Sequence, residues 1–257
     1  MLSPLRVQIQ VIWALVLKEV RILHRGKALG YVWAILEPMA QMLGWLVFIT
    51  VFRQNPPIGS SIITFIATGL LPITIFMKTH SAMMMALPMN KQFMNYPIVR
   101  PTDTIIAKFL LETATAIVVM LIIFTVLIVS GETDPPHDLV RAIHAIFLIM
   151  AVSFGFGLFC AYLVQIAVIY VRVIRFISRI VYFLSGIFFV PDMLPRNLYN
   201  IIWYNPLAHG VELFRSAYYP TFESRMPVPS YMMAWAACLI LAGFMLSSVR
   251  RMRKRYS

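Results

Sequence analysis

Residues 89–103 read M-N-K-Q-F-M-N-Y-P-I-V-R-P-T-D, a polar, proline-bearing and aromatic stretch between two long apolar runs. Upstream, Ser61 to Leu87 carries Lys78 as its one formal charge. Downstream, Thr104 to Val129 carries only Lys108 and Glu112. Each run reaches the ~20 residues a helix needs to cross a bilayer. A short amphipathic insert between two such runs is a loop at a membrane surface, and this decides the fold: an all-α integral membrane protein.

Composition agrees. The 257 residues are 60% hydrophobic and only 12% charged, with a mean hydropathy of +0.80, whereas soluble domains carry about a quarter charged residues. The net charge of +12 would point to nucleic acid in a soluble chain. Here the cations gather at the ends of apolar runs, as in cytoplasmic loops, so no nucleic-acid partner is expected. An anionic substrate stays open. Cys160 and Cys238 fall inside apolar runs and are expected to be buried packing residues rather than a disulfide. No secretory signal is expected, because the N-terminal region lacks a compact apolar core followed by a small-residue cleavage site.

Residues 4–25 place Leu5, Ile9, Ile12, Trp13, Val16, Val20 and Leu23 on one helical face and Lys18, Arg21 and Arg25 on another. This pattern predicts an interfacial helix, ended by the basic patch Arg21, His24, Arg25 and Lys27. Six spans are expected, at about 30–52, 61–80, 104–129, 142–168, 177–190 and 228–249. The fifth gives only ~20 Å of helix, too short for a full crossing. The broken, semi-apolar region 191–222 after it predicts a re-entrant outer hairpin of short helices. Such backbone is tolerated at membrane depth only where protein covers it or it lines a wet cavity. Six spans put both termini on one side. The excess of lysine and arginine at the N-terminus, in the insert, over Arg172 to Arg179 and in the closing R-R-M-R-K-R makes that side cytoplasmic. The outer loops mix Arg53, Arg141, Arg196, Arg215 and Arg225 with acids. No internal repeat divides the chain, so one domain is expected over 1–257.

Three segments together carry a resemblance: G-K-A-L-G-Y-V-W-A-I-L-E-P (26–38), N-Y-P-I-V-R-P-T-D-T-I-I-A-K (95–108) and W-Y-N-P-L-A-H-G-V-E-L-F-R (203–215). In this order and spacing, over nearly the whole length, the chain resembles the membrane permease of capsular-polysaccharide exporters, a branch of the type-2 ATP-binding-cassette (ABC) transporters. The resemblance implies a homodimer in the bacterial inner membrane, joined to two cytoplasmic ABC ATPase subunits that bind the ATP and Mg; no cofactor is implied on this chain. It also implies a lipid-linked, acidic polysaccharide as substrate, with periplasmic and outer-membrane export proteins continuing the route. By matching position it makes residues 90–100 the coupling helix that docks on the ATPase, with Asn90, Lys91, Phe93, Asn95, Tyr96 and Arg100 as contacts. Lys91 and Arg100 keep such a segment cytoplasmic, while Phe93, Met94 and Tyr96 offer apolar anchors to a partner pocket. Pro97 and Pro101 stop it sharply. The alternative is an interfacial loop whose aromatic rings sit at headgroup level.

No G-x-x-x-x-G-K-[ST] phosphate loop occurs, so the ATP site is expected on another subunit. No metal set is expected, and His144 and His209 read as packed or interfacial. Arg172, Arg175 and Arg179 share one helical face, and an acidic sugar chain would favour such a stripe because arginine grips carboxylate and phosphate bidentately. Plain positive-inside anchoring explains the same residues; Arg172 fits it best, while Arg175 and Arg179 are the candidates for the substrate path. Glu37, beside Pro38 within the first span, must face a cavity or a partner. Trp203 and Tyr204 suit either sugar stacking or a membrane-interface belt. Three further pairings are structural expectations: Lys108 with Glu112, Glu212 with Arg215, and Asp103 as the N-cap of the third span. The leading function is thus a transport permease with no bond chemistry of its own. An exporter of O-antigen, teichoic acid or lipid, an intramembrane enzyme on lipid-linked sugars, and a scaffold subunit are the alternatives.

Overall fold

The computed structural model describes residues 4–24, 29–52 and 56–256, so the expectations on Arg25, Lys27 and Arg53 lie outside the described residues. Within them the chain forms helices α1 (Pro4–His24), α2 (Leu29–Phe52), α3 (Ile62–Met89), α4 (Pro101–Val129), α5 (Leu139–Leu163), α6 (Ile169–Phe183), α7 (Arg196–Trp203), α8 (Pro206–Tyr218) and α9 (Pro229–Tyr256). Four of these are long and apolar enough to cross a membrane: α3, α4, α5 and the Pro229–Val249 part of α9. The first expected span coincides with α2, whose described apolar stretch is Ile35–Ile49.

The ends of these helices follow from local chemistry. Ser61 Oγ accepts the Thr64 amide at 3.4 Å and Asp138 Oδ1 accepts that of Arg141 at 2.9 Å, each satisfying an orphan donor of a first turn. Pro101 opens α4, where a missing N–H costs nothing. The cap there is Arg100, not Asp103 as expected. Asp103 sits three residues on and its carboxylate accepts the Arg100 amide at 2.7 Å, because Pro101 forces the residue before it out of helical geometry.

The most buried of the long helices, α3, runs through the middle of the bundle with α4, α5 and α8 around it. Side by side, α5 and α9 approach closely. A Cβ on Gly155 would stand 2.7 Å from the Ala236 carbonyl oxygen, and one on Gly243 would stand 2.9 Å from Leu158. Small residues at a helix contact are how bundles in lipid gain dispersion contacts without hydrophobic driving force. Cys160 is buried as expected, but Cys238 is exposed on α9, so the packing role assigned to it does not hold within this chain.

The largest departure concerns the fifth span. Instead of a helix over 177–190, α6 covers 169–183 and the chain breaks into turns at Leu184, with Gly186 at φ +77°. The three arginines make α6 amphipathic, and the helix ends while the sequence is still apolar, just before Gly186 takes a left-handed conformation that glycine adopts readily. A 3-10 turn (Pro191–Met193), α7 and α8 follow. Leu207 to Tyr218 of α8 are all buried, which makes this short helix a core element.

Arg215 holds the break together. Fully buried, it donates from Nη1 to the Gly186 and Phe189 carbonyls at 2.5 and 3.2 Å, and from Nη2 to those of Ile187 and Phe65 at 2.9 and 3.4 Å. Its Nη1 lies 3.3 Å from Glu212 Oε1, as the sequence leads one to expect, and its guanidinium lies 4.1 Å over the Phe65 ring. Gly69 leaves room for it, since a Cβ there would meet Arg215 Nη2 at 2.7 Å. Arg215→Met should therefore cost about 3–5 kcal/mol by stranding Glu212 and four carbonyls. Arg215→Lys should not restore it, for want of the planar fork. Thermal unfolding in detergent measures both, and an unchanged midpoint in Arg215→Met would refute the assignment.

Candidate functional site

Where α2, α3, α4 and α6 face one another, a cavity of about 950 Å3 opens. Glu37 projects into it from the turn before Pro38, and its Oε2 meets Lys78 Nζ of α3 at 2.9 Å. From α6, Arg175 and Arg179 reach the same space one turn apart; neither makes an ion pair among the described residues. Between them Ser178 is buried and hydrogen-bonds His80 Nε2 at 2.9 Å. His80 Nδ1 lies 2.7 Å from the Phe76 carbonyl, which can only accept, so Nδ1 carries the proton. The neutral ring therefore takes the Ser178 hydroxyl hydrogen at Nε2, and α6 is fastened to α3 at this point. Trp45, Tyr182 and Phe183 form an aromatic side of the cavity, with the Trp45 and Phe183 ring centroids 6.0 Å apart. Chemically the space offers two uncommitted guanidinium groups beside aromatic faces, a setting for an anionic, hydroxyl-rich chain.

The cavity brings together Glu37, Arg175 and Arg179. It leaves out Arg172, exposed at the start of α6. It also leaves out Trp203 and Tyr204, which end α7 in a separate aromatic cluster: the Trp203 ring lies 5.0 Å from Tyr231 and 5.5 Å from His209, and Tyr231 donates to the Tyr204 carbonyl at 2.9 Å. Trp45 and Tyr182 were missed because an aromatic residue in an apolar run carries no label for a cavity wall.

The opening segment, 89–103, is compact but is not the helix expected over 90–100. It holds one 3-10 turn, Phe93–Asn95, since the prolines at 97 and 101 deny a helix the length it needs. Asn90 closes α3, its Nδ2 donating to the Ala86 carbonyl at 3.0 Å. Lys91, Asn95, Tyr96 and Arg100 are exposed, as is Ile98, which was not singled out. Phe93 is half-buried with the Lys18 ammonium 4.7 Å over its ring, and Met94 packs inward against the Met83 and Leu87 cluster. The outward apolar pair is therefore Tyr96 and Ile98.

Helix α1 clamps this segment through an ion network centred on Glu19, another residue the sequence did not single out. Glu19 Oε1 and Oε2 accept from Lys18 and Lys108 at 2.9 and 2.8 Å, and Lys18 also donates to Asn90 Oδ1 at 2.6 Å. Gln8 adds a bond to the Asp103 carboxylate. Lys108 is thus turned to Glu19, not to Glu112 as expected. The signal available was a lone acid on a basic amphipathic helix.

These features are those of a helical membrane bundle with an amphipathic first helix and a clamped polar turn after α3. Residues 10–219 match the family described as ABC-2 type transporter, and the chain belongs to it. It is 30% identical over 249 residues to the polysialic acid transport protein KpsM of Escherichia coli, covering 96% of each chain. Against the capsule polysaccharide export inner-membrane protein CtrC of Neisseria meningitidis serogroup A it is 27% identical over 253 residues, 98% and 95% of the two chains. With the O-antigen export system permease protein RfbA of Klebsiella pneumoniae it shares 24% over 205 residues, 78% and 77% of the two chains. The type-2 ABC resemblance is borne out, and the chain is a multi-pass membrane protein.

Burial works to raise the Glu19 carboxyl, but the hydrogen bonds from Lys108 and Lys18 outweigh it and hold it below the ordinary glutamate range. Its ion pairs stabilise the clamp at neutral pH and are lost only as pH falls through that lowered value. Glu19→Gln should release α1 at neutral pH, seen as faster tryptic cleavage after Lys91. In the unaltered chain the same change should need acid below the usual glutamate titration. Equal cleavage of both at neutral pH would refute the clamp.

Proposed function

We propose that this chain is the permease subunit of an ATP-driven exporter that moves lipid-anchored, acidic capsular polysaccharide from the cytoplasm across the bacterial inner membrane. The observation that carries the reading is the pair Arg175 and Arg179, uncommitted in a cavity with an aromatic side. Anionic groups exchange their hydration for bidentate arginine contacts in such a space, while sugar rings lie against the aromatic faces. The printed names of the Escherichia coli and Neisseria relatives support the substrate class.

In this reading the chain acts as a homodimer with two cytoplasmic ABC ATPase subunits, which hold ATP and Mg. The permease supplies the path and no bond chemistry. Six spans result if α2 and the α6-to-Val190 stretch are counted with the four long helices, α7 and α8 forming a re-entrant element on the outer side. Both termini are then cytoplasmic, which matches the charge of the closing run. ATP binding draws the ATPases together. Their push enters at residues 90–100 and passes through Asn90 and the Glu19 network into α3 and α4. Periplasmic and outer-membrane proteins would continue the route. Export of O-antigen is the second reading, favoured by the similarity to the Klebsiella permease.

Two experiments test this in vesicles holding the permease and its ATPase. Arg175→Gln with Arg179→Gln should cut export of an acidic polymer by roughly tenfold or more, as expected for losing two charge-assisted contacts, with ATPase assembly intact. Full export would leave the arginines as topology signals, and preferred export of a neutral polymer would favour the second reading. Tyr96→Ala with Ile98→Ala should leave insertion unchanged but lower polymer moved per ATP hydrolysed; an unaltered ratio would count against docking there.

A further inference from the structure

Another face of α2 borders a second space, of about 230 Å3, between α2, α3 and α4. Met39, Leu43 and Leu46 of α2, Ile63 of α3, and Ile123 and Val126 of α4 line it, and no lining side chain bears a charge, hydroxyl or amide. Sugar or water has nothing to bond there. Close-packed proteins do not leave apolar volume of this size unfilled, and the neighbouring Val118, Leu121 and Leu36 are exposed towards hydrocarbon. The filler that such surroundings offer is an acyl chain.

A narrow seam opens from the polar cavity towards this groove and stops one helical turn short of it. Pro38, Thr74 and Lys78 line both the cavity and a narrow gap between the same three helices. The gap's other wall, Val119 and Met120, lies within one turn of Ile122 and Ile123 in the groove. An amphiphile with its chain in the groove would thus present its headgroup to Lys78. That ammonium is engaged by Glu37 at 2.9 Å, a partly exposed pair of small net worth that an incoming anion can replace. We infer that the groove seats the acyl chain of the exported polymer's lipid anchor, its anionic headgroup displacing Glu37 from Lys78. The naming of the amphiphile rests on the proposed function; the site itself rests on the groove and the seam.

The test uses the full chain with its ATPase in phosphatidylcholine nanodiscs, with phosphatidic acid and phosphatidylcholine probes bearing the same diazirine acyl chain. The anionic probe should label peptides holding Met39–Leu46 and Ile122–Leu127 in preference to the zwitterionic one. Lys78→Gln should lower that labelling by roughly fivefold, the worth of one partly screened charge contact. Glu37→Gln, by freeing Lys78, should raise it, so a misfolded variant cannot imitate the pair of results. Unlabelled acidic glycolipid from an encapsulated strain should displace the probe, and zwitterionic phosphatidylethanolamine at equal concentration should not. Equal labelling by both probes, insensitivity to both substitutions, or displacement by phosphatidylethanolamine would mark the groove as occupied by bulk lipid and overturn the inference. If the groove stays unlabelled while the Arg175 and Arg179 changes cut export, this inference falls and the transport reading stands. If the groove labels as expected while those changes leave export intact, the acyl site stands and the cavity reading falls.

Discussion

A backbone that leaves helical form inside a bilayer must find hydrogen-bond partners from the protein, because lipid supplies none. The same need holds wherever protein covers irregular backbone, and in the non-helical stretch from Leu184 to Val190 the Arg215 guanidinium meets it for the Gly186, Ile187 and Phe189 carbonyls. By gathering carbonyls from this stretch and from Phe65 of α3, one side chain ties the segment after α6, the first turn of α3 and the buried α8 into a single unit. Glu212 keeps the charge from standing alone. A pair of this kind adds little net stability compared with apolar packing, but it fixes which carbonyls face inward. The direction in which α6 leaves the bundle depends on it.

Electrostatic commitment separates the framework from the site. Lys18 and Lys108 are held by Glu19, Lys78 by Glu37, and Arg215 by Glu212 and carbonyls. Arg175 and Arg179 have no such partner among the described residues and line the cavity between α2, α3, α4 and α6. Cations locked in pairs set geometry, whereas those left facing a wet space set what may enter it. The Glu37–Lys78 pair lies between these cases, because both partners retain exposure and Lys78 lines both the polar cavity and the narrow gap beside it.

Much of the fold was legible because hydropathy and proline placement act locally. The runs around 61–87 and 104–129 became α3 and α4, and the amphipathic pattern over 4–25 became α1. The convergence of Glu37, Arg175 and Arg179 was foreshadowed by the cost of leaving charge inside apolar segments. What failed depends on tertiary partners or on backbone detail. Lys108 was matched to its neighbour Glu112 because helical spacing was visible, while Glu19, 89 positions away, was not. Asp103 was taken for a cap because its residue type fits one; its true position depends on Pro101 shifting the start of α4. Trp203 and Tyr204 suited either sugar stacking or an interface belt, and the structure sets them apart from the cavity: the Trp203 ring packs on His209 and Tyr231, while the Tyr204 side chain is exposed.

One attachment governs how freely the arginines travel. Among the described helices α6 packs chiefly against α3, and Ser178 and Ile174 are its only buried residues. The Ser178–His80 bond is therefore an oarlock for the blade carrying Arg175 and Arg179, set against a hull of α5 and α9 that is locked glycine to backbone. On the proposed transport reading, a stroke of α6 would cost one hydrogen bond and little packing, leaving the bundle intact.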